Sequence, residues 1–140
     1  MSATLSRRSA RKQAFLALYQ SDLNVRPVDD VVKLWLSYRG TLDEYALAVV
    51  RGVENDREEL DTILEEVSTG WPVHRMSAVD RTILRIALYE MLNVDDVPSE
   101  VAMSEAVEIA IGFSGEESPA FVGGVLRGAA ELQRGKVESG

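Results

Sequence analysis

The sequence predicts an all-α fold of about seven helices in two packed helical subdomains. Three observations carry that expectation. Apolar residues recur at helical spacing along most of the chain, as at Leu60, Ile63, Leu64 and Val67. Capping residues stand ahead of such runs at Ser6, Thr41 and Ser77. Strand signals are weak, with no long Val/Ile/Thr alternation and no Asn-Gly or Asp-Gly hairpin turn.

The first helix is expected from about Arg7 to Leu23, capped by Ser6. Ala10, Ala14 and Ala17 form its buried ridge. Arg7, Arg8, Arg11 and Lys12 share one arc at 100° per residue, and Phe15 and Tyr19 extend it. A second helix follows Pro27, from Val28 to about Tyr38, with Asp29 and Asp30 in the first turn where the helix dipole favours acids. Gly40 closes it. Thr41 with Glu44 reads as a capping box for a third helix, densely apolar from Tyr45 to Val50. A fourth runs from about Arg57 to Thr69, with Glu58, Glu59, Asp61, Glu65 and Glu66 outward.

Gly70-Trp71-Pro72 breaks the chain, and the two halves are expected to meet near Trp71. Beyond Ser77, Val79 to Leu92 is apolar nearly all round, the mark of a central buried helix. Pro98 opens the next helix, to about Ile111. Ser114 or Gly115 starts the last one, from about Glu116 to Leu132. Residues 1–133 read as one domain and 134–140 as a flexible C-terminal tail. Gly123-Gly124, inside the last helix, points to a close backbone approach.

Composition narrows the chemistry. The chain of 140 residues has no cysteine and one histidine. It therefore lacks a disulfide framework, a thiolate metal site, a cysteine nucleophile and a multi-histidine zinc site. No apolar run approaches the ~20 residues that span a bilayer, and no apolar stretch follows the basic N-terminus as in a secretory signal. A soluble cytoplasmic protein without membrane contact is the default. Glu100, Glu105, Glu108, Asp95 and Asp96 read as helical surface charges, and no spacing matches a Ca²⁺ loop, so no catalytic, metal or cofactor residues are assigned.

The net charge of −8 hides a split. Arg7, Arg8, Arg11 and Lys12 precede any acid, whereas from Asp22 onward 11 basic residues face 23 acidic ones. The basic head has two readings by itself: contact with RNA phosphates and bases, or a solvated helix face. Cations at a helix N-terminus cost about 0.3–1 kcal/mol against the dipole, which favours a use that outweighs that cost.

Three segments carry a family resemblance: RRSARKQAFLALYQ at 7–20, VDRTILRIALYEML at 79–92, and VPSEVAMSEAVEIAIGFSGEESPAFVGGVL at 97–126. Together they resemble the NusB family of bacterial transcription antitermination factors over nearly the whole chain. Two positions depart from the family pattern: Gly123 stands where the family usually has Asn, and Met103-Ser104-Glu105-Ala106 replaces Ile-Asn-Glu-Ala.

The resemblance implies a NusB-like helical fold without catalysis. It implies binding of single-stranded boxA RNA of ribosomal RNA transcripts together with NusE, a ribosomal small-subunit protein. It places both in the complex that makes RNA polymerase resist termination. It assigns RNA contact to Arg7, Arg8, Arg11, Lys12, Glu117 and Phe121, and NusE contact to Tyr19 and Asp80. For Phe121 the competing reading is a core residue, for Tyr19 a half-buried ring with a wet hydroxyl, and for Asp80 stabilisation of a first helical turn. The resemblance also leaves a homodimer open. Two other functions compete with this one. One is the detached RNA-binding domain of a ribosomal RNA cytosine methyltransferase, against which stand the missing Cys and Gly-rich cofactor motif. The other is a helical protein-interaction module without RNA binding.

Overall fold

In a computed structural model, residues 6–113 and 115–139 are described, the last four by backbone alone. Ser114, one of two residues expected to begin the last helix, lies outside them, as does Gly140 at the end of the expected tail. Seven α-helices and one short 3₁₀ turn form among the described residues, with no strand. The chain divides into two compact units, residues 1–55 and 56–140.

The first unit holds α1 (Arg7–Leu23), α2 (Val28–Arg39) and α3 (Glu44–Asn55). Ser6 caps α1 as expected, its Oγ accepting from the Ser9 N–H at 3.2 Å. Gly40 closes α2 in the left-handed conformation at φ 79°, which glycine adopts without a Cβ penalty. The cap of α3 differs from expectation. Asp43 Oδ1, not Thr41, accepts from the N–H groups of Tyr45 and Ala46 at 2.9 and 3.2 Å. Thr41 sits too early, and its carbonyl instead receives the Trp35 indole N–H at 3.2 Å. Helix α1 packs on both α2 and α3, and Ala10, Ala14, Phe15 and Leu18 of α1 are buried along with Val31, Val32, Val49, Val50 and Val53 of the other two helices.

The second unit holds α4 (Arg57–Val67), the 3₁₀ turn Val73–Arg75, α5 (Ala78–Asn93), α6 (Ser99–Phe113) and α7 (Ser118–Ser139). Ser77 caps α5 through the Asp80 N–H at 3.0 Å. Every residue from Thr82 to Leu88 is buried, so α5 is the central helix its composition predicts, packed against α4, α6 and α7. The Gly70-Trp71-Pro72 break interrupts the helices without separating units. The 3₁₀ turn beyond it packs back on α4, and the division falls at Asn55/Asp56.

Two corrections concern the second unit. Asp61 does not face outward. Its carboxylate takes a bidentate pair from Arg85 of α5, Nε to Oδ1 at 2.8 Å and Nη2 to Oδ2 at 2.9 Å. The last helix extends past Leu132 to Ser139, through the stretch read as a tail, because no proline follows and one glycine does not stop a helix.

Gly123 and Gly124 do not mark a tight crossing either. A Cβ at Gly123 would meet Val107 Cγ2 at an ordinary 3.6 Å, and one at Gly124 would meet nothing within 4 Å. Gly124→Ala is expected to stabilise the protein by about 1 kcal/mol in a thermal melt, since it removes backbone entropy from the unfolded chain without a clash.

Candidate nucleic-acid interface

In the first unit, the cations of α1 split into two sets. Arg8 and Lys12 are exposed on the outer side of the helix. Arg7 is also exposed, and its guanidinium lies 3.9 Å from the centroid of the Tyr45 ring, a cation–π pair that ties the start of α1 to α3. A second tie runs from the Asp43 N–H to Gln13 Oε1 at 3.1 Å. Arg11 is different: only 4% of it is exposed.

That corrects the single exposed arc expected from the sequence. At 100° per residue the buried residues, from Ala17 through Ala14, Leu18 and Arg11 to Phe15, sweep about 160° of the helix. The alanine ridge is thus one side of a wider buried face, and Arg11 and Phe15 occupy its other side. Phe15 is 0% exposed. Tyr19 stands at the boundary, half-buried and stacked on Phe15 with ring centroids 5.6 Å apart and planes 8° from parallel. Its ring is held by the core beneath while its edge reaches the surface.

In the second unit, Asp80, Glu117 and Phe121 line one cavity of about 260 Å³, together with Trp71, Arg75 and Met76. Asp80 is half-buried. Its backbone N–H completes the Ser77 cap, and its Oδ1 is buried without a hydrogen-bond partner. Asp80 is thus a first-turn acid of α5 and part of the cavity wall. Glu117 is exposed just ahead of α7, and Phe121 is half-buried in its first turn, not in the core. Phe121 N–H donates to the Glu117 carbonyl at 3.1 Å, which fixes the spacing of the two.

Trp71, Arg75, Met76 and Ser77 bring the segment between α4 and α5 into the cavity wall. Arg81 of α5 holds it, Nη1 donating to the carbonyls of Met76 at 3.1 Å and His74 at 3.4 Å. From the other side, Glu65 Oε1 of α4 accepts from the Val73 N–H at 3.2 Å. The signal for this wall was present in the sequence as a large aromatic residue, Trp71, placed at a chain break and followed by Arg75. No group of His, Cys, Asp or Glu among the described residues could hold a metal ion. No described helix is long and apolar enough to cross a membrane.

A family model described as the NusB family matches residues 8–131. The chain belongs to the NusB family. It is 65% identical over 136 residues to the transcription antitermination protein NusB of Rubrobacter xylanophilus, spanning 97% of this chain and 98% of that protein. It is 44% identical over 129 residues to the NusB of Kineococcus radiotolerans, spanning 91% and 95%. Among solved structures, T. maritima NusB superposes with a TM-score of 0.83 at 31% identity, over 92% of this chain and 93% of that one. A chain from a crystal structure of the antitermination factors NusB and NusE in complex with double-stranded RNA gives a TM-score of 0.80 at 25% identity, over 90% and 96%. The seven-helix NusB fold read from the sequence is thereby established.

Proposed function

We propose that this chain is a non-enzymatic, RNA-binding antitermination factor. With NusE it binds boxA RNA of ribosomal transcripts in the cytoplasm and helps RNA polymerase resist termination. One observation carries the reading: Arg7, Arg8 and Lys12 stand exposed on a helix free of acids before Asp22, in a chain 65% identical to a transcription antitermination protein. The solved NusB–NusE complex with RNA supports both partners. The methyltransferase and RNA-free readings lack such support, because the match spans 98% of that antitermination relative.

The division of labour follows from chemistry. Arg7, Arg8 and Lys12 neutralise phosphates, and each contact to a single strand adds about 0.7 to the salt slope, so three lower affinity about twentyfold between about 50 and 200 mM salt. Arg11 supports α1 from beneath. Phe121 offers a π face to a base. Glu117 beside it repels phosphate. Tyr19, anchored on Phe15, and Asp80, in the first turn of α5, serve NusE, since aromatic side chains with rigid support make good interface anchors. NusE raises RNA affinity by adding phosphate contacts of its own.

The test is a filter-binding titration of boxA RNA with and without NusE at two salt concentrations. Weak capture alone and tight capture with NusE, both weakened by salt, are expected. No capture in the presence of NusE would remove the reading.

A further inference from the structure

Trp71 is 50% exposed, yet the segment that carries it is tightly held. The Trp71 N–H donates to the Ser68 carbonyl at 3.3 Å, and Ser68 Oγ donates back to the Trp71 carbonyl at 2.8 Å. Gly70 at φ 82° makes the reversal before it, and Pro72 fixes the backbone after it. Glu65 and Arg81 pin the following residues from α4 and α5, and Val73 and Met76 are buried at 3% and 4% exposure. The indole is therefore not outside because its loop is loose. A constrained backbone presents half of the ring to water.

The ring borders the cavity that Phe121 also lines, with Arg75, Asp80 and Glu117 around it. Those three side chains give the wall a net charge of −1. A phosphate is repelled there, whereas an uncharged aromatic group finds two aromatic side chains, Trp71 and Phe121, in the wall. The cavity of about 260 Å³ has room for one flat heterocycle.

We propose that Trp71 is a stacking platform for one unpaired base of the bound RNA, with Phe121 as the second aromatic wall and the phosphates left outside the cavity. The proposal rests on the RNA-binding reading above. It assigns base contact to a segment that carries none of the residues so far placed at the RNA, and it separates two jobs: α1 grips charge, and this cavity grips a base.

The test compares W71A and W71F with the wild-type protein, using boxA RNA and NusE. Losing a stacked base lowers affinity by about 5- to 100-fold, so W71A falls by that factor, while W71F, which keeps a π face, stays within about threefold. The salt slope is the same in all three proteins, because no cation is lost. RNA quenches tryptophan emission in the wild-type protein and not in W71F, where buried Trp35 is the remaining indole. Thermal melts of W71F and W71A stay near wild type, since the ring is half outside. Wild-type affinity in W71A overturns the proposal and leaves the RNA reading standing. Loss of NusE binding by W71A in the absence of RNA also overturns it, by giving the cavity to a side chain of the partner. Failure of the wild-type protein to capture RNA with NusE removes both.

Discussion

Phe15→Ala is expected to lower stability by about 3–5 kcal/mol, the range for truncating a fully buried aromatic ring. That is a large share of the roughly 5–15 kcal/mol that holds a domain folded. Phe15 has 0% exposure on α1, which packs against α2 and α3. Tyr19 stacks on it, so the truncation also removes the support of that ring. At about 3–5 °C per kcal/mol for a chain of this size, the melting temperature should drop by about 10–20 °C. Tyr19→Ala should cost far less, because Tyr19 is only half-buried. A pair of urea or thermal melts checks both. A loss under about 1 kcal/mol for Phe15→Ala would contradict the packing of α1 described above.

Asp61→Ala is the second large effect. It would leave the Arg85 guanidinium, 9% exposed, without the carboxylate that takes both of its bonds. Breaking a buried pair from one side costs about 3–5 kcal/mol. Asp61 is itself 26% exposed and water screens part of the interaction, so about 3 kcal/mol is expected here. Removing the charge as well, in Asp61→Ala with Arg85→Met, should recover much of the loss, because an apolar pair of similar volume carries no unpaired charge. Denaturant melts of the two variants separate these outcomes. Equal losses in both would mean that packing, not the orphaned charge, sets the effect.

These residues also show what could and could not be read from the sequence. Helix positions were legible because caps and apolar period act within one or two turns. Ser6, Gly40 and Ser77 stand where their local chemistry puts them. Helix-to-helix relations were not. The period of α1 gives the angle between side chains, but not the width of the buried face. Three alanines looked like the whole of it, when Arg11 and Phe15 completed it. Asp61 read as one acid among five on α4, and nothing within α4 marks the one that meets Arg85. Thr41 and Asp43 both suit a helix cap, and backbone geometry chose between them.

The candidate site was legible in part for the same reason. The cations of the head and the residues of the family pattern were visible as local motifs. That Asp80, Glu117 and Phe121 share a cavity depends on α5 meeting α7, and the contribution of Trp71 and Arg75 depends on how Arg81 and Glu65 fold the intervening segment back. Neither follows from spacing along the chain.

The most direct test of the cationic grip is the salt dependence of boxA RNA affinity, with NusE present, for the wild-type protein and for Arg8→Ala with Lys12→Ala. If those two side chains hold phosphates, the double variant binds more weakly at low salt and its slope of log affinity against log salt is shallower by about 1.4. An unchanged slope and unchanged affinity would place the RNA elsewhere on the protein and contradict the role given to α1.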